Sequence, residues 1–410
     1  MKIPNGWKKV KFEDIVSKIN DKVTNRDDWT FDRYIGGEHF DEGEMRISRS
    51  APIKGNEEVI GPAFNMRFKP GQVLYVTRNP RLRKGGMVDF EGVCSNVSFI
   101  MGADETKLLQ SLLPFVIQTE DFVKHTCNNA HGSTNPFLNW KDIAKYEFLL
   151  PSIEEQKKIN EVLWGVEENI FILNKHLTNL EFFETKILKD SFSLGKDIIE
   201  MVKLSKNKDK KTKLHKLSEV TTLITKGTTP TTYGMNFISE GINFIKAESI
   251  DEYGKFIKKN IAYIDEATHN YLKRSQFNER DVLFSIAGVL GRVAIVTKSI
   301  LPANTNQAIA IIRPNLNLIN EEYLSYYLKS KVVQKYIELF AVQTAQANVS
   351  LGLLGDLPIF IPDLETQKEM VIKLKKVDQY RNMYRQHRII LKNLRNKLSN
   401  ELLKGELRLD

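Results

Sequence analysis

Thr77-Arg78-Asn79-Pro80-Arg81-Leu82-Arg83-Lys84 places four cations in one loop after the strand-like run Gln72 to Val76. That density suits phosphates, and a guanidinium also matches the paired acceptors of a guanine edge. His131-Gly132-Ser133-Thr134-Asn135 joins small turn residues to hydroxyls and an amide that can reach base edges or backbone. The second half of the chain has polar loops of different make-up: Lys226-Gly227-Thr228-Thr229-Pro230, Gly291-Arg292, Asn304-Thr305-Asn306-Gln307 and Gln343 to Asn348. Their amides can pair bidentately with adenine. The candidate DNA-contacting residues are Arg78, Arg81, Arg83, Lys84, Ser133, Thr134 and Asn135 in the first half, and Lys226, Thr228, Arg292, Asn306, Gln307, Gln346 and Asn348 in the second.

Catalytic chemistry has few footholds. No Walker loop, His-Glu-x-x-His helix or Gly-x-Ser-x-Gly elbow occurs. Asn135-Pro136-Phe137 is near the Asn-Pro-Pro-aromatic signature of amino-methyltransferases, but the second proline is missing and no glycine-rich cofactor loop accompanies it, so it reads as a loop. Pro362-Asp363 has Pro151-Ser152 as its equivalent, without an acid, and helix capping accounts for both. The 7 histidines are scattered, and Cys94 and Cys127 lack partners at metal-ligand spacing. No catalytic or metal-binding residue is assigned.

Lys and Arg number 60 against 51 Asp and Glu, a net charge of +9, which favours polyanionic partners without requiring them. The opening Met1 to Trp7 lacks an apolar signal core, and no apolar run approaches the roughly 18 to 20 residues that span a bilayer. The expectation is a cytoplasmic protein with no membrane partner.

What positions the polar loops is a unit written twice, with a period of about 210 residues, which is domain duplication rather than a solenoid. Leu150-Pro151-Ser152-Ile153-Glu154-Glu155-Gln156-Lys157 aligns with Ile361-Pro362-Asp363-Leu364-Glu365-Thr366-Gln367-Lys368. Tyr34-Ile35 aligns with Phe244-Ile245, Val73-Leu74-Tyr75 with Val282-Leu283-Phe284, and Lys11 to Ile15 with Lys216 to Val220. Short apolar and β-branched runs bounded by Gly, Pro and Asn predict small mixed sheets.

After Pro151 the pattern becomes a heptad seam: Ile159, Leu163, Val166, Ile170, Leu173, Leu177, Leu180 and Ile187, with a gap at Glu184. The second connector carries Met370, Leu374, Val377, Tyr384, Leu391, Leu398 and Leu402, interrupted by Arg381, Arg388 and Arg395, so its seam reads as less regular. A long amphipathic helix needs a partner, and two copies in one chain supply it.

The fold class expected is α+β: two similar mixed α/β heads separated by a long antiparallel helical pair, a pseudo-two-fold repeat. The boundaries are 1–150 and 214–361 for the heads, 151–195 and 362–410 for the helical connectors, and 196–213 for a basic linker. Lys203 to Lys213, almost without apolar content, reads as solvated and mobile. Trp164, Phe171 and Phe182 lie outside the seam and need cover, from a partner protein or from the heads.

At these residues the chain resembles the specificity subunit of type I restriction-modification systems over nearly all its length. The resemblance rests on Tyr34-Ile35-Gly36-Gly37-Glu38-His39, Gly92 to Asn96, Gly227 to Pro230, Ser285 to Gly291, Asn306-Gln307 and both Pro-x-x-Glu-x-Gln-Lys stretches. It implies a non-catalytic DNA-binding chain that recognises a bipartite double-stranded target and positions methyltransferase and restriction/translocase subunits. S-adenosylmethionine, ATP and magnesium would belong to those partners. The alternatives are a cytoplasmic coiled-coil interaction scaffold and a free-standing DNA-binding regulator.

Overall fold

The computed structural model describes residues 4–192, 197–206, 214–340 and 348–409. The chain forms two compact units, one built from residues up to Lys175 and from Tyr384 onward, the other His176–Met383. Each unit therefore holds one head and one end of each long helix, rather than a head with the helix that follows it.

In the first unit, Val16–Ile19, Ser98–Ala103, Val73–Val76 and Gly85–Met87 form an antiparallel sheet in that order. A second sheet runs Ala51–Pro52, Arg33–Ile35, Gly92–Ser95, Phe64–Phe68, with its two central strands parallel. In the second unit the antiparallel sheet is Thr221–Lys226, Ile309–Pro314, Val282–Ser285, Val293–Ile295. Ala262–Ile264, Ile242–Ile245 and Ala303–Thr305 make the mixed one, its last two strands parallel. The repeat is thus topological: Tyr34 pairs with Val93 as Phe244 pairs with Asn304.

The central strands are largely apolar because both faces are covered. Val73, Tyr75 and Met101 pack with Phe12, Phe115 and Phe122, whereas Leu74, Val76 and Ile100 pack with Ile35 and Phe68. Likewise Val282, Phe284 and Ile312 face Tyr323 and Tyr327, while Leu283 and Ile311 face Ile245 and Phe277. Each central strand is fixed from two sides, so the loops at its end start from a rigid base.

Two 40-residue helices, Ile153–Phe192 and Leu364–Leu403, follow the heads. Each would be about 60 Å long at the usual rise. Ser152 Oγ accepts from Glu155 N at 3.4 Å, and Asp363 Oδ1 from Thr366 N at 2.9 Å, as caps at the expected places. The repeated glutamine explains itself. Gln156, fully buried, donates to Lys107 O and Pro151 O and accepts from Leu109 N. Gln367, equally buried, donates to Leu318 O and Pro362 O and accepts from Asn320 N. Each side chain staples a helix start to the chain that precedes it, which is why the motif recurs.

The first seam is buried or half-buried at every expected position from Ile159 to Ile187. The second is more regular than its composition implies, because its arginines have partners across it. Within the first unit Arg395 Nη1 meets Glu167 at 2.7 Å, both almost fully buried, and Arg388 donates to Asn174 Oδ1 at 3.1 Å. Position rises along one helix as it falls along the other, so they run antiparallel. Within the second unit Arg381 pairs with Glu184, the residue that interrupts the first seam. Burial pushes the Glu167 and Glu184 carboxyls above the usual range, with Arg395 and Arg381 pulling them back. Buried ion pairs add little net stability, but a misaligned one leaves a bare charge, so these layers specify register.

The expected linker is partly a helix. Ile198–Lys206 is helical, with Ile198 and Met201 buried in the cluster of Leu217 and Tyr323, so the apolar spacing ahead of the lysines anchors Lys203 to Ser205. Residues 207–213 lie outside the described residues. Trp164 and Phe171 take cover from the head: the Arg46 guanidinium lies 4.8 Å from one ring and 5.1 Å from the other, and Trp164 Nε1 donates to Ser111 O. Phe182 stays 68% exposed.

Candidate nucleic-acid interface

The loops expected to touch DNA gather at one end of the four-stranded sheet in each head. In the first, Val76 pairs with Ser98 at the strand end, and Val76 N donates to Lys84 O, so Thr77 to Lys84 is the hairpin loop beyond it. The His131 loop is sewn to it. Leu138 N donates to Thr77 O at 3.1 Å, Asn79 N to Pro136 O at 2.7 Å, and Asn79 Nδ2 to Asn135 Oδ1 at 2.9 Å. Arg78 donates to Asn135 O at 3.4 Å and lies over the Phe137 ring. Two segments some 55 residues apart, by the 57 positions between Arg78 and Asn135, thus make one surface.

Within that surface the cations are not equivalent. Arg81 is exposed, as are Ser133, Thr134 and Asn135. Arg83 is held by Glu120 at 2.6 Å, and Lys84 donates to Gly37 O at 2.9 Å. Asn79 and Arg83 flank the turn Pro80–Leu82 at φ 51° and 50°, left-handed conformations that ordinary residues seldom adopt. His131 Nε2 lies 2.9 Å from Asp142 Oδ2. Burial raises the Asp142 carboxyl less than the Asn139 amide and His131 lower it, leaving it below the usual range.

The second head repeats the frame with other side chains. Ser285 pairs with Ile309, Lys226 with Ala310, and Ser285 N donates to Arg292 O, which puts Lys226, Arg292 and Asn306-Gln307 at the same sheet end. Val349 N donates to Ile286 O at 3.0 Å, the counterpart of the Leu138–Thr77 bond, and carries Asn348 with it. A Cβ on Gly227 would lie 1.9 Å from Thr305 O, so only glycine lets the two segments meet. Thr228 N donates to Thr305 O, and Thr229 Oγ1 to Gln307 Oε1 at 2.6 Å. Lys226, Gln307 and Asn348 are exposed, and Arg292, Thr228 and Asn306 half-buried. Asn306 Oδ1 is engaged by Ala308 N. Gln346 lies outside the described residues.

Sequence reasoning missed Arg274, whose Nη2 donates to Thr228 Oγ1 at 3.3 Å, and the neighbouring Tyr233 and Tyr271, both exposed. Thr228-Thr229-Pro230 marks a loop, but nothing in the sequence signals which distant residue closes on it.

A family described as the type I restriction modification DNA specificity domain matches residues 198–392. The type I restriction enzyme MjaVIII specificity subunit of Methanocaldococcus jannaschii is 23% identical over 297 residues, 70% of this chain and 68% of the relative. The EcoBI specificity subunit of Escherichia coli is 27% identical over 143 residues, 35% of this chain and 30% of the relative. Among solved structures, one described as showing complex assembly and conformational transition of the type I R-M system matches with a TM-score of 0.59 at 17% identity, over 99% of this chain and 100% of that one. The S subunit of a type I restriction-modification system from M. genitalium matches with a TM-score of 0.54 at 14% identity, over 98% of both chains. At these identities the structural likeness speaks to the fold.

Proposed function

We propose that this chain, which belongs to the type I restriction-modification DNA specificity family, reads a bipartite double-stranded DNA target with its two heads and places enzymatic partners on it. The observation that carries this reading is the gathering of the polar loops at the equivalent sheet end of each head, with equivalent bonds fastening different side chains. A rigid sheet presenting variable polar loops is a way to hold donors and acceptors against base edges.

Methylation, cleavage and translocation then belong to partner subunits, which would bind S-adenosylmethionine, ATP and magnesium; the chain itself contributes recognition. The exposed Phe182 and Phe183 offer part of a partner surface, whereas Trp164 and Phe171 are occupied within the first unit. Polar substitution of Phe182 should weaken recovery of the methyltransferase subunit without unfolding the chain.

The test is to map DNA methylation in cells with and without the gene, then to exchange residues 1–150 for the corresponding head of a related chain. One half of the methylated target should change and the other stay. A change in both halves, or in neither, refutes independent reading by the heads.

A further inference from the structure

The second head carries, beside its reading loops, a feature the first head lacks. Between Ala262–Ile264 and the strand Val282–Ser285 lie the helix Glu266–Tyr271 and the turn Lys273–Ser275. In the first head the stretch between Ala51–Pro52 and Phe64–Phe68 contains turns and no helix. The helix of the second head is tied to the loop at Thr228 twice. Arg274 donates to Thr228 Oγ1, and Tyr271 meets Tyr233 of the turn Pro230–Tyr233 with ring centroids 5.3 Å apart at 67°.

The backing of this pair is rigid. Asn304, with no exposure, donates to Leu272 O at 3.1 Å and Ser275 Oγ at 2.8 Å, and Gln276 Nε2 donates to His269 O at 2.8 Å. The front is open: Tyr233 is 53% and Tyr271 59% exposed, and Lys273 and Arg274 are exposed beside them. Neither phenol hydroxyl has a hydrogen-bond partner among the described residues. Tyrosines that serve only packing bury their rings, whereas rings with free hydroxyls on a rigid support are common where a partner supplies the other half of the contact.

We propose that Tyr233, Tyr271 and Arg274 clamp the sugar–phosphate backbone of duplex DNA next to the bases that the second head reads. Arg274 and the phenol hydroxyls donate to phosphate oxygens, and the rings cover the adjoining sugars. The inference rests on the DNA-reading role proposed for this head. Backbone rather than base contact follows from how the group is held: Arg274 already spends Nη2 on Thr228 Oγ1, so its fork is not free to take a guanine edge, and the amides suited to base edges, Asn306 and Gln307, lie in the neighbouring loop.

The experiment uses the chain assembled with its methyltransferase subunits. It compares binding to a duplex with the mapped target, to one altered at a single base pair in the second half-site, and to one with no target. Tyr271→Ala and Arg274→Gln should each weaken all three by a similar factor, on the order of fivefold, and Arg274→Gln should lower the salt dependence by roughly one phosphate contact. Tyr233→Phe with Tyr271→Phe keeps both rings and should reproduce the part of the loss due to the hydroxyls. Unchanged affinity for every duplex, or a loss confined to the target, overturns the clamp. Lys226→Ala and Gln307→Ala separate the two readings: if they too leave target binding intact, the DNA-reading role of the head fails, whereas if they alone weaken it, only the clamp does.

Discussion

Val349 donates its amide to Ile286 in the second head as Leu138 donates its amide to Thr77 in the first, yet the loops fastened by those bonds have little in common. The first loop is Arg78-Asn79-Pro80-Arg81-Leu82-Arg83-Lys84, basic and pinned through Asn135; the second is Ala287-Gly288-Val289-Leu290-Gly291-Arg292, small and apolar with one cation. Even the backbone solution differs. Asn79 and Arg83 adopt positive φ in one, while Gly288 and Gly291 do so at φ 70° and 83° in the other, where it costs nothing. The buried bonds are duplicated and the exposed chemistry is not, which is what two readers of different half-sites require of a duplicated scaffold.

The sharpest tests of the shared part are in the seam. Arg395→Ala leaves Glu167 buried without its partner and should cost about 3–5 kcal/mol in denaturant unfolding. Arg381→Ala removes the corresponding layer of the second unit, where both side chains are partly exposed, and should cost about 1 kcal/mol or less. Equal costs would show that burial is not what separates the two layers. Replacing Arg395 by Met together with Glu167 by Leu should recover most of the loss while relaxing helix register.

Next come the paired staples. Gln156→Leu and Gln367→Leu each take a partner from one backbone amide and two carbonyls, and each should destabilise by about 1–3 kcal/mol. The comparison predicts similar values for the two; a silent substitution on one side would mean that the repeat kept the residue without its role.

These buried features were largely legible in the sequence because they are periodic or repeated. The seam is a spacing of threes and fours, and Gln156 and Gln367 stand at the same offset from Pro151 and Pro362. The sequence could not show that the three arginines of the second seam have partners, because Glu167, Asn174 and Glu184 lie some two hundred residues away. For the same reason Arg274 and the tyrosine pair escaped notice, and Arg83 and Lys84 looked free. Ile198 and Met201 were overshadowed by the lysines after them, although two apolar residues three apart are enough to dock a short helix.

At the reading face, Arg78→Ala and Arg292→Ala should each weaken target binding by about 1–3 kcal/mol if the side chain touches a base, with discrimination lost at one position of its own half-site only. If it touches phosphate, all sequences weaken together and the salt slope falls. Measured affinities on single-base variants of each half-site separate the two, and a variant that relaxed the opposite half-site would break the separation of the heads.

The smallest effect should come from Arg83, although composition alone ranks it with Arg81. Its guanidinium is held at 2.6 Å by Glu120 and donates to Gln118 O at 3.5 Å, so reaching DNA would mean giving up a contact already made. Arg83→Ala should therefore change target affinity by less than about 0.5 kcal/mol, as surface substitutions away from a contact usually do, while Arg81→Ala produces a measurable loss. Stability gives a second reading of the same residue. The exposed ion pair is worth about 0.2–1 kcal/mol, and relieving the left-handed backbone at φ 50° returns about 1 kcal/mol. Arg83→Gly, which makes the first loop more like the glycine-bearing second, should therefore be close to neutral in thermal unfolding. Arg83→Ala loses the pair and keeps the strain, and should melt lower than Arg83→Gly. The reverse order would show that the left-handed backbone at this position stores no strain for glycine to relieve, and Arg83→Gly melting well below the parent would show that the Glu120 contact governs this loop.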